Sequence, residues 1–330
     1  MRHTMKKIFY AAAIAGLTVN SAQASCSSAF CSISTGAEVS GELDALRKRL
    51  DIRYEFIDQN QQRHGRDEVS RKLNSDGELE ERSINRNLIA TLDYPVTEHW
   101  AWTLQLPLVS RSHSHDLFVA HARPHRVQPL HGAIEPEAWE ITEIGDVRVT
   151  GRYLLSEPQL GAANAGVKFG VKLPTGDFKV TNSQDEQAER SLQPGTGTTD
   201  LLLGVFYTHP LAGSRSNWFA EGLWQKPLAK REDYQPGQRL TFDLGVRHTL
   251  SDRLRAMLQL NSQWRGRDRG DAANPSDTGG TFVYLSPGLD YSLTKGMEVY
   301  GFFQQPLYQR VNGVQLTADW SAALGVAYRF

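Results

Sequence analysis

The stretch "QLTADWSAALGVAYRF" (315–330) decides the fold of this chain. Within it, every second residue is large or apolar: Trp320, Ala322, Leu324, Val326, Tyr328 and Phe330. The residues between them are small or polar: Ser321, Ala323, Gly325, Ala327 and Arg329. Successive side chains of a β-strand point to opposite faces, so a period of two residues places one chemical type on each face. The stretch is therefore predicted to be a strand with one apolar face.

The overall composition limits the class of protein. The chain has 330 residues, 22% charged residues and a mean hydropathy of −0.45, values that are usual for soluble proteins. It contains no apolar run of 18 residues, which excludes a bundle of transmembrane helices. A transmembrane β-barrel remains compatible, because only alternate residues face the lipid and the mean hydropathy stays low. Lys and Arg (36) balance Asp and Glu (37), which argues against nucleic acid as a partner.

Alternation of this kind recurs along the chain and predicts twelve strands in total. Besides the final strand, the segments are 49–56, 84–94, 100–108, 146–154, 166–173, 200–207, 217–224, 239–250, 253–267, 283–293 and 297–308. Each has about the ten residues that a tilted strand needs to cross a bilayer. The alternation is least clear in 217–224 and 297–308.

The connections between these segments distinguish a membrane barrel from a soluble β-sandwich, which also alternates. They are alternately short and long, the long ones being roughly 60–82, 112–141, 176–197, 227–238 and 266–280. This asymmetry is typical of outer-membrane barrels, with short periplasmic turns and long external loops. We therefore predict an all-β fold, a transmembrane antiparallel β-barrel of twelve strands over residues 47–330, with both termini periplasmic. Nine aromatic residues near the segment ends are expected to form two interfacial girdles in contact with outer-membrane lipid: Tyr94, Trp100, Trp102, Tyr207, Trp218, Trp224, Trp264, Trp320 and Tyr328.

The N-terminal residues predict export. A basic "MRHTMKK", an apolar "IFYAAAIAGLTV" and a small-residue "SAQAS" form a signal peptide over residues 1–24, with cleavage after Ala24. Residues 25–46 then form a periplasmic segment that could enter the lumen as a plug. This segment holds the two cysteines of the chain, Cys26 and Cys31, which are expected to form a disulfide in an oxidising compartment. A soft metal bound by the two thiolates is the minority alternative, and lipid attachment at Cys26 is disfavoured by Gln23.

Charged residues collect on the inward faces of the predicted strands. The predicted pore-lining residues are Arg49, Asp51, Arg53, Glu55, Arg148, Arg152, Lys168, Lys172, Asp200, Asp243, Arg247 and Arg255. Burying so many ions in a dry core would cost several kcal/mol each unless they were paired. A solvated lumen that conducts small solutes avoids most of this cost. The alternative is a closed barrel whose interior is one ion-pair network, because twelve strands enclose a narrow bore.

Half of the ten histidines fall in "RSHSHDLFVAHARPHRVQPLH" (111–131), within a predicted external loop. His113, His115, His121 and His125 are candidate ligands for Cu²⁺ or Zn²⁺, and the spacing of the first two places them on one strand face. The favoured alternative is a polar, solvated loop without a metal. No other cofactor is indicated by the sequence.

An enzymatic function is not expected. A phospholipase of the outer membrane needs a Ser, a His and a polar third residue on the lipid face. His248 is the histidine at an outward strand position, and Ser262 on the next strand lies far from it. No nucleophile motif accompanies them.

Two later stretches carry a resemblance to a known family. "GVKFGVKLPTGDF" (166–178) and "LQPGTGTTDLLLGVFY" (192–207) resemble the KLPTG and GTG-(S/T)-x-D signatures of an outer-membrane family named for the MetA pathway of phenol degradation. That family is described as transporter-like, and the resemblance implies an outer-membrane channel for small solutes, including small aromatic or hydrophobic compounds. Pro174, Gly176, Gly195 and Gly197 suit a loop that closes over the barrel mouth, an interpretation we favour over a ligand site here.

The terminal Phe330 resembles the aromatic signature by which the barrel assembly machinery recognises its substrates, so that machinery is an expected partner. The predicted function is an outer-membrane channel of a Gram-negative cell. A closed structural or metal-binding barrel is the first alternative, and a lipid-face enzyme is the second.

Overall fold

The computed structural model describes residues 47–75, 77–119, 133–156 and 162–330. The predicted signal peptide, the 25–46 segment and its two cysteines lie outside the described residues. The strands are β1 (Arg49–His64), β2 (Asp67–Glu68), β3 (Glu78–Pro95), β4 (Trp100–Val119), β5 (Ala133–Ile144), β6 (Arg148–Leu154), β7 (Asn164–Lys172), β8 (Asp200–Pro210), β9 (Ser216–Pro227), β10 (Arg239–Thr249), β11 (Leu254–Arg265), β12 (Gly280–Ser292), β13 (Met297–Val311) and β14 (Val314–Arg329). The described part of the chain contains no helix with the length and hydropathy of a transmembrane helix.

These strands close into a twelve-stranded antiparallel barrel, in which we call each of the twelve strand positions of the wall a stave. Neighbours along the chain pair with one another, and β14 pairs with β1 to close the ring. β5 and β6 are two halves of one stave, because both pair with successive parts of β4. β2 has two residues and folds back on β1. The twelve-stranded barrel predicted from the alternation is confirmed.

The two faces of the wall have the chemistry that the alternation predicts. Outward positions carry exposed apolar side chains, as on β10, where Leu240, Phe242, Leu244 and Val246 are all between 40% and 48% exposed. Inward positions are mostly polar and buried. Burial also resolves the unclear segment of β9, where Phe219 is buried and Trp218 and Trp224 take outward positions. An apolar outer belt of this kind is typical of a barrel that contacts lipid.

Aromatic rings cluster at two levels of the outer surface. At the end with short turns, Trp100 contacts the ring of Tyr153 at 4.7 Å between centroids, and Tyr207 contacts Trp218 at 5.2 Å. At the other level, Trp320 lies between Phe56 at 5.5 Å and Phe303 at 5.8 Å. The two levels match the girdles expected at the edges of a bilayer.

Three of the short turns use the same local chemistry. The hydroxyl oxygens of Thr97, Ser251 and Thr294 each accept a hydrogen bond from the backbone N–H three residues later, at 3.0–3.1 Å. Ser and Thr favour turns because they satisfy backbone donors in this way. Both ends of the described wall lie at this same end, where Lys48 and Phe330 exchange two backbone hydrogen bonds.

The strands at the opposite end continue beyond the apolar belt. The predicted loops 60–82 and 112–141 are only partly loops, because β1 runs to His64, β3 begins at Glu78, and β4 and β5 pair out to Val119 and Ala133. The alternation of apolar residues stops at Leu108 on β4, because the outward positions beyond it, such as Ser112 and Ser114, are polar. Sequence reasoning therefore ended these strands too early.

Candidate functional site

Half of the barrel interior is a closely packed polar wall. At its short-turn end, Arg255 donates to both carboxylate oxygens of Asp290 and lies 2.9 Å from Glu298, and Arg247 lies 3.1 Å from the same aspartate. Arg49 continues this network, with its guanidinium 2.9 Å from Asp51 and 3.8 Å from Glu298. These cations and anions neutralise one another inside the wall.

Farther up the same wall, five adjacent strands form a chain of hydrogen bonds. Asn261 donates to Asp243 at 2.7 Å, and Ser286 donates to Asn261 at 2.6 Å. Gln304 donates to Ser286 at 3.3 Å and accepts from Ser321 at 3.0 Å. All five side chains are at most 4% exposed. Because each polar group has a partner, β10–β14 can bury them without a large desolvation cost.

Aromatic rings inside the barrel rest on glycines of the neighbouring strand. A side chain on Gly245 would overlap the ring of Phe219, and one on Gly288 would overlap Phe302. Both rings belong to an apolar cluster that also contains Met257. The inward glycines thus leave room for rings to lie along the wall.

The interior side chains of β3, β4, β6, β7 and β9 are less buried. This set, which we call the solvated face, comprises Asn87, Thr91, Thr103, Gln105, Arg148, Thr150, Arg152, Lys168, Glu221 and Gln225, all intermediate in exposure. Lys168 lies 2.8 Å from Glu221, and Arg148 donates to the amide oxygen of Gln225 at 3.3 Å. The interior is therefore less tightly packed on this side than along β10–β14.

The twelve residues predicted to line a pore divide between these two regions. Arg148, Arg152 and Lys168 belong to the solvated face. The other nine are buried: Arg49, Asp51, Arg53, Glu55, Lys172, Asp200, Asp243, Arg247 and Arg255. Ion pairing and hydrogen bonding account for much of this burial, as with Arg53, which lies 2.9 Å from Glu55.

The stave formed by β5 and β6 is interrupted at Gly145–Val147, and the two motifs meet there. The carboxylate of Asp146 accepts from Lys172 at 2.5 Å, from the backbone N–H of Gly176 at 3.1 Å and from that of Thr196 at 3.0 Å. Lys172 also donates to the carbonyl of Thr198 at 2.9 Å and lies 3.5 Å from Asp200. One ammonium thus joins two buried carboxylates, one in the interruption and one on β8.

The motif glycines allow two backbone segments to touch beside this interruption. A Cβ on Gly176 would lie 2.8 Å from the Cα of Gly195, closer than side-chain atoms approach. Thr175 covers the interruption itself, since its hydroxyl accepts from the N–H of Val147 at 2.9 Å and donates to the carbonyl of Gly145 at 3.0 Å. The KLPTG segment thereby supplies the hydrogen bonds that the broken stave lacks.

The segment 173–199, which we call the mouth loop, extends from this point across the barrel end. Leu192 is 0% exposed and packs with Trp139 and Ile141 of β5 and with Leu316 of β14; three strands, β4, β3 and β1, lie between β5 and β14 in the wall. Arg111 donates to the carbonyl of Leu192 at 2.6 Å. The loop thus contacts the wall on both sides of the mouth.

Two of the four predicted metal-binding histidines lie beside the mouth loop. His113 and His115 are on β4 rather than in a loop, and they are 3% and 1% exposed. The expectation of a polar, solvated loop is therefore wrong for these two residues. His121 and His125 lie outside the described residues. Sequence reasoning missed the carboxylates that accompany the pair, Glu78, Glu80, Glu137 and Glu189.

A serine and histidine pair on the outer surface was also missed. Ser216 of β9 and Nδ1 of His248 on β10 are 2.7 Å apart. Their strand register makes them direct cross-strand neighbours. Among the described residues, no carboxylate or amide side chain hydrogen-bonds to this imidazole, and nucleophilic catalysis needs such a third group to orient the base. The pair alone therefore supports no catalytic proposal.

Comparisons with known proteins bear on the identity of this barrel. A model of the family described as putative MetA-pathway of phenol degradation matches residues 136–323. No match is found among curated protein sequences.

Solved structures show the same architecture. An outer membrane channel from Pseudomonas putida F1 superposes with a TM-score of 0.66 at 14% sequence identity, covering 91% of this chain and 100% of that one. A FadL homologue from Pseudomonas aeruginosa has a TM-score of 0.43 at 9% identity, covering 87% and 91%. The NanC porin has a TM-score of 0.44 at 10% identity, covering 85% and 100%. The first likeness shows the barrel fold, and the two weaker ones add nothing to it. Since the family match spans more than half of the sequence and contains both motifs, the chain belongs to the family described as putative MetA-pathway of phenol degradation.

Proposed function

We propose that this protein is an outer-membrane channel that passes small solutes, with a preference for anions. The solvated face carries this proposal, because it is a column of half-exposed polar side chains inside a wall that is otherwise packed. A barrel that served only as a structural element could bury this face as completely as β10–β14. Membership of the family and the fold shared with an outer membrane channel support the proposal.

The charges on the solvated face support a preference for anions. The register places Arg148 directly opposite Lys172 and Arg152 directly opposite Lys168. Like charges directly opposite one another destabilise a sheet. Lys172 and Lys168 are compensated by carboxylates at 2.5 Å and 2.8 Å, whereas Arg148 donates to a neutral amide. An anionic solute near Arg148 would offset this repulsion.

The class of solute follows from combining this charge with the family description. The resemblance suggests small aromatic or hydrophobic compounds, and Arg148 favours a negative group. An aromatic carboxylate has both properties, and a guanidinium binds a carboxylate through two parallel hydrogen bonds. We therefore take benzoate as the probe, with phenol as the neutral comparison.

Planar-bilayer recordings and liposome uptake test the proposal. The wild-type protein should give discrete conductance steps, a reversal potential that favours anions, and faster uptake of benzoate than of phenol. Arg148→Gln and Arg152→Gln should each reduce the anion preference. Arg253→Gln is the matched control, because Arg253 is exposed in a short turn outside the interior. A silent bilayer together with no uptake would refute the channel and leave the closed structural barrel.

The orientation in the membrane is part of the same proposal. The apolar belt, the girdles and the short turns together support an outer-membrane location with the turns and both termini in the periplasm. Protease added to intact cells should then cleave at the mouth-loop end of the barrel. Cleavage confined to the turn at 211–215 would place the barrel in the opposite orientation.

A further inference from the structure

Two histidines and three glutamates meet where β3 and β4 extend beyond the apolar belt. His113 Nε2 and His115 Nδ1 are 3.1 Å apart, and His113 Nε2 is 3.7 Å from a carboxylate oxygen of Glu80. His115 Nδ1 is also 4.0 Å from Glu189 of the mouth loop, and its Nε2 is 3.9 Å from Glu78. One ligand atom from each of Glu80, His113 and His115 falls within 4.8 Å of the others, as does one from each of Glu78, His115 and Glu189.

These separations suit a shared metal ion. Zinc binds nitrogen and oxygen ligands at about 2.0–2.2 Å in a tetrahedron, which separates neighbouring ligand atoms by about 3.3–3.6 Å. The distances from His113 Nε2 to His115 Nδ1, 3.1 Å, and to the Glu80 carboxylate, 3.7 Å, lie just below and just above this range. The strands therefore need no rearrangement to place these atoms around one ion. The pairing register fixes the arrangement, because Glu80 lies directly across from His115.

Burial and charge point to a cation at the same place. The side chains of Glu78, Glu80 and Glu189 are at most 2% exposed. The side chains of His113 and His115 are at most 1% exposed. Neutral imidazole is the form that binds metals, and several buried carboxylates together favour a divalent cation.

A fourth carboxylate orients one of the histidines. Glu137 on β5 is the direct cross-strand neighbour of His115, and its Oε2 lies 3.2 Å from His115 Nε2. A histidine that binds metal through one ring nitrogen commonly donates the other N–H to a carboxylate, which fixes the tautomer. With Nε2–H held by Glu137, the lone pair of Nδ1 faces His113 and Glu189.

We propose that His113 Nε2, His115 Nδ1 and a carboxylate oxygen of Glu80 bind a divalent transition-metal ion, for which Zn²⁺ is the probe. The side chain of Glu189, now 4.0 Å from His115 Nδ1, moves toward the ion to complete the site. Three of these ligands come from the barrel wall and the fourth from the mouth loop. A bound ion therefore ties the mouth loop to β3 and β4. This site is independent of conduction, so it can be tested whether or not the barrel is a channel.

Binding of Zn²⁺ by the purified, full-length protein tests the site. The protein carries a tag without histidine and is stripped with chelator, then titrated calorimetrically in detergent. Glu80→Gln and His113→Gln remove one ligand each, and Glu137→Gln removes only the carboxylate that orients His115. His64→Gln is a matched control on the exposed end of β1. A triple change of His121, His125 and His131 to Gln removes the neighbouring histidines of the sequence motif.

The expected result is one Zn²⁺ per chain in the wild type, in His64→Gln and in the triple variant. Glu80→Gln and His113→Gln should abolish stoichiometric binding, and Glu137→Gln should weaken it by roughly 10- to 100-fold. Retained resistance of each variant to SDS before heating shows that the barrel is folded, and Glu80→Gln preserves the shape of the side chain. Absence of binding by the wild type, equal binding by folded Glu80→Gln, or loss of binding only in the triple variant would overturn the proposal.

Discussion

Replacement of Gly195 by alanine should loosen the mouth loop without disturbing the barrel wall. A Cβ at this position would overlap the carbonyl group of Gly176 and lie 2.7 Å from its Cα. The atoms it meets belong to backbone, so a change of side-chain rotamer cannot relieve the clash. Both segments are also held in place, since Gly176 N–H donates to Asp146 at 3.1 Å and Gly195 N–H donates to the carbonyl of Asp177 at 2.7 Å.

The size of the effect follows from this contact. An added methyl group in a site without room for it costs about 1–3 kcal/mol. Because the strain is confined to the contact between residues 176 and 195, it is relieved when the mouth loop opens locally. A change of about 1–3 kcal/mol in the free energy of local opening raises the population of the open loop by roughly 5- to 150-fold.

Limited proteolysis at Arg190 measures this opening. Arg190 is 7% exposed, and its guanidinium lies between the rings of Phe178 and Tyr234, at 4.5 Å and 4.8 Å from their centroids. Trypsin therefore reaches the Arg190–Ser191 bond only when the loop opens. When opening is fast compared with cleavage, the cleavage rate follows the open population. The initial rate, measured by mass spectrometry, should rise by roughly 5- to 150-fold in Gly195→Ala.

Gly222→Ala is the matched control, because the nearest atoms to a Cβ at Gly222 are 3.9 Å away. This variant should be cleaved at the wild-type rate. If Gly195→Ala is also cleaved at the wild-type rate and unfolds at the same urea concentration, the close contact with Gly176 is absent from the protein and the reasoning fails.

Three further outcomes follow from the structure and the sequence. Lys172→Met leaves Asp146 and Asp200 buried without their shared ammonium, so the free energy of unfolding should fall by about 3–5 kcal/mol, measured as a lower urea midpoint. Leu192→Ala removes a fully buried side chain and should cost about 2–5 kcal/mol; in bilayers, its conductance should exceed that of the wild type. Mass spectrometry of non-reduced peptides should show a Cys26–Cys31 disulfide, and its short loop implies a modest contribution to stability.

The barrel could be predicted from the sequence because its signal is local. A strand that separates lipid from a polar interior alternates at every residue, so each segment shows its outward face without knowledge of its neighbours. On β10, for example, Leu240 and Phe242 already identify the apolar face. The same locality explains the errors. Beyond the belt both faces are polar, so the extensions of β3 and β4 do not differ from loops in sequence.

Contacts inside the barrel depend on register, which the sequence does not reveal. The Ser216–His248 pair could not be read from the sequence, because Ser216 lies on the strand before His248 and only the register makes the two neighbours. The position of Asp146 at an interruption between β5 and β6 also required the structure. The sequence does contain one indication of this interruption. Gly145 and Asp146 break the alternation, and Pro107 on the facing strand cannot donate a backbone hydrogen bond to its neighbour.

Only the histidines of the His–Glu cluster could be predicted from the sequence, because the positions of the glutamates depend on strand register. The spacing of His113 and His115 indicated a shared strand face, since it depends on one strand alone. A β-bulge between Glu80 and Arg82 disrupts the alternation on β3, so the inward position of Glu80 could not be read from its neighbours. Glu189 is distant in sequence and reaches the cluster only because the mouth loop folds back over it.

Two separate sets of contacts therefore hold the mouth loop. At its C-terminal part, Gly195 and Thr196 pack against the interruption in the wall through Asp146. Near its middle, Glu189 approaches His115, and the two sets lie on either side of Leu192, which fills the mouth. Arg190, next to Glu189, donates to the carbonyl of Thr196 at 3.1 Å, so the two sets are linked and loss of one should weaken the other. Opening a path along the solvated face then requires both to be released, or the loop to bend about the contact that remains.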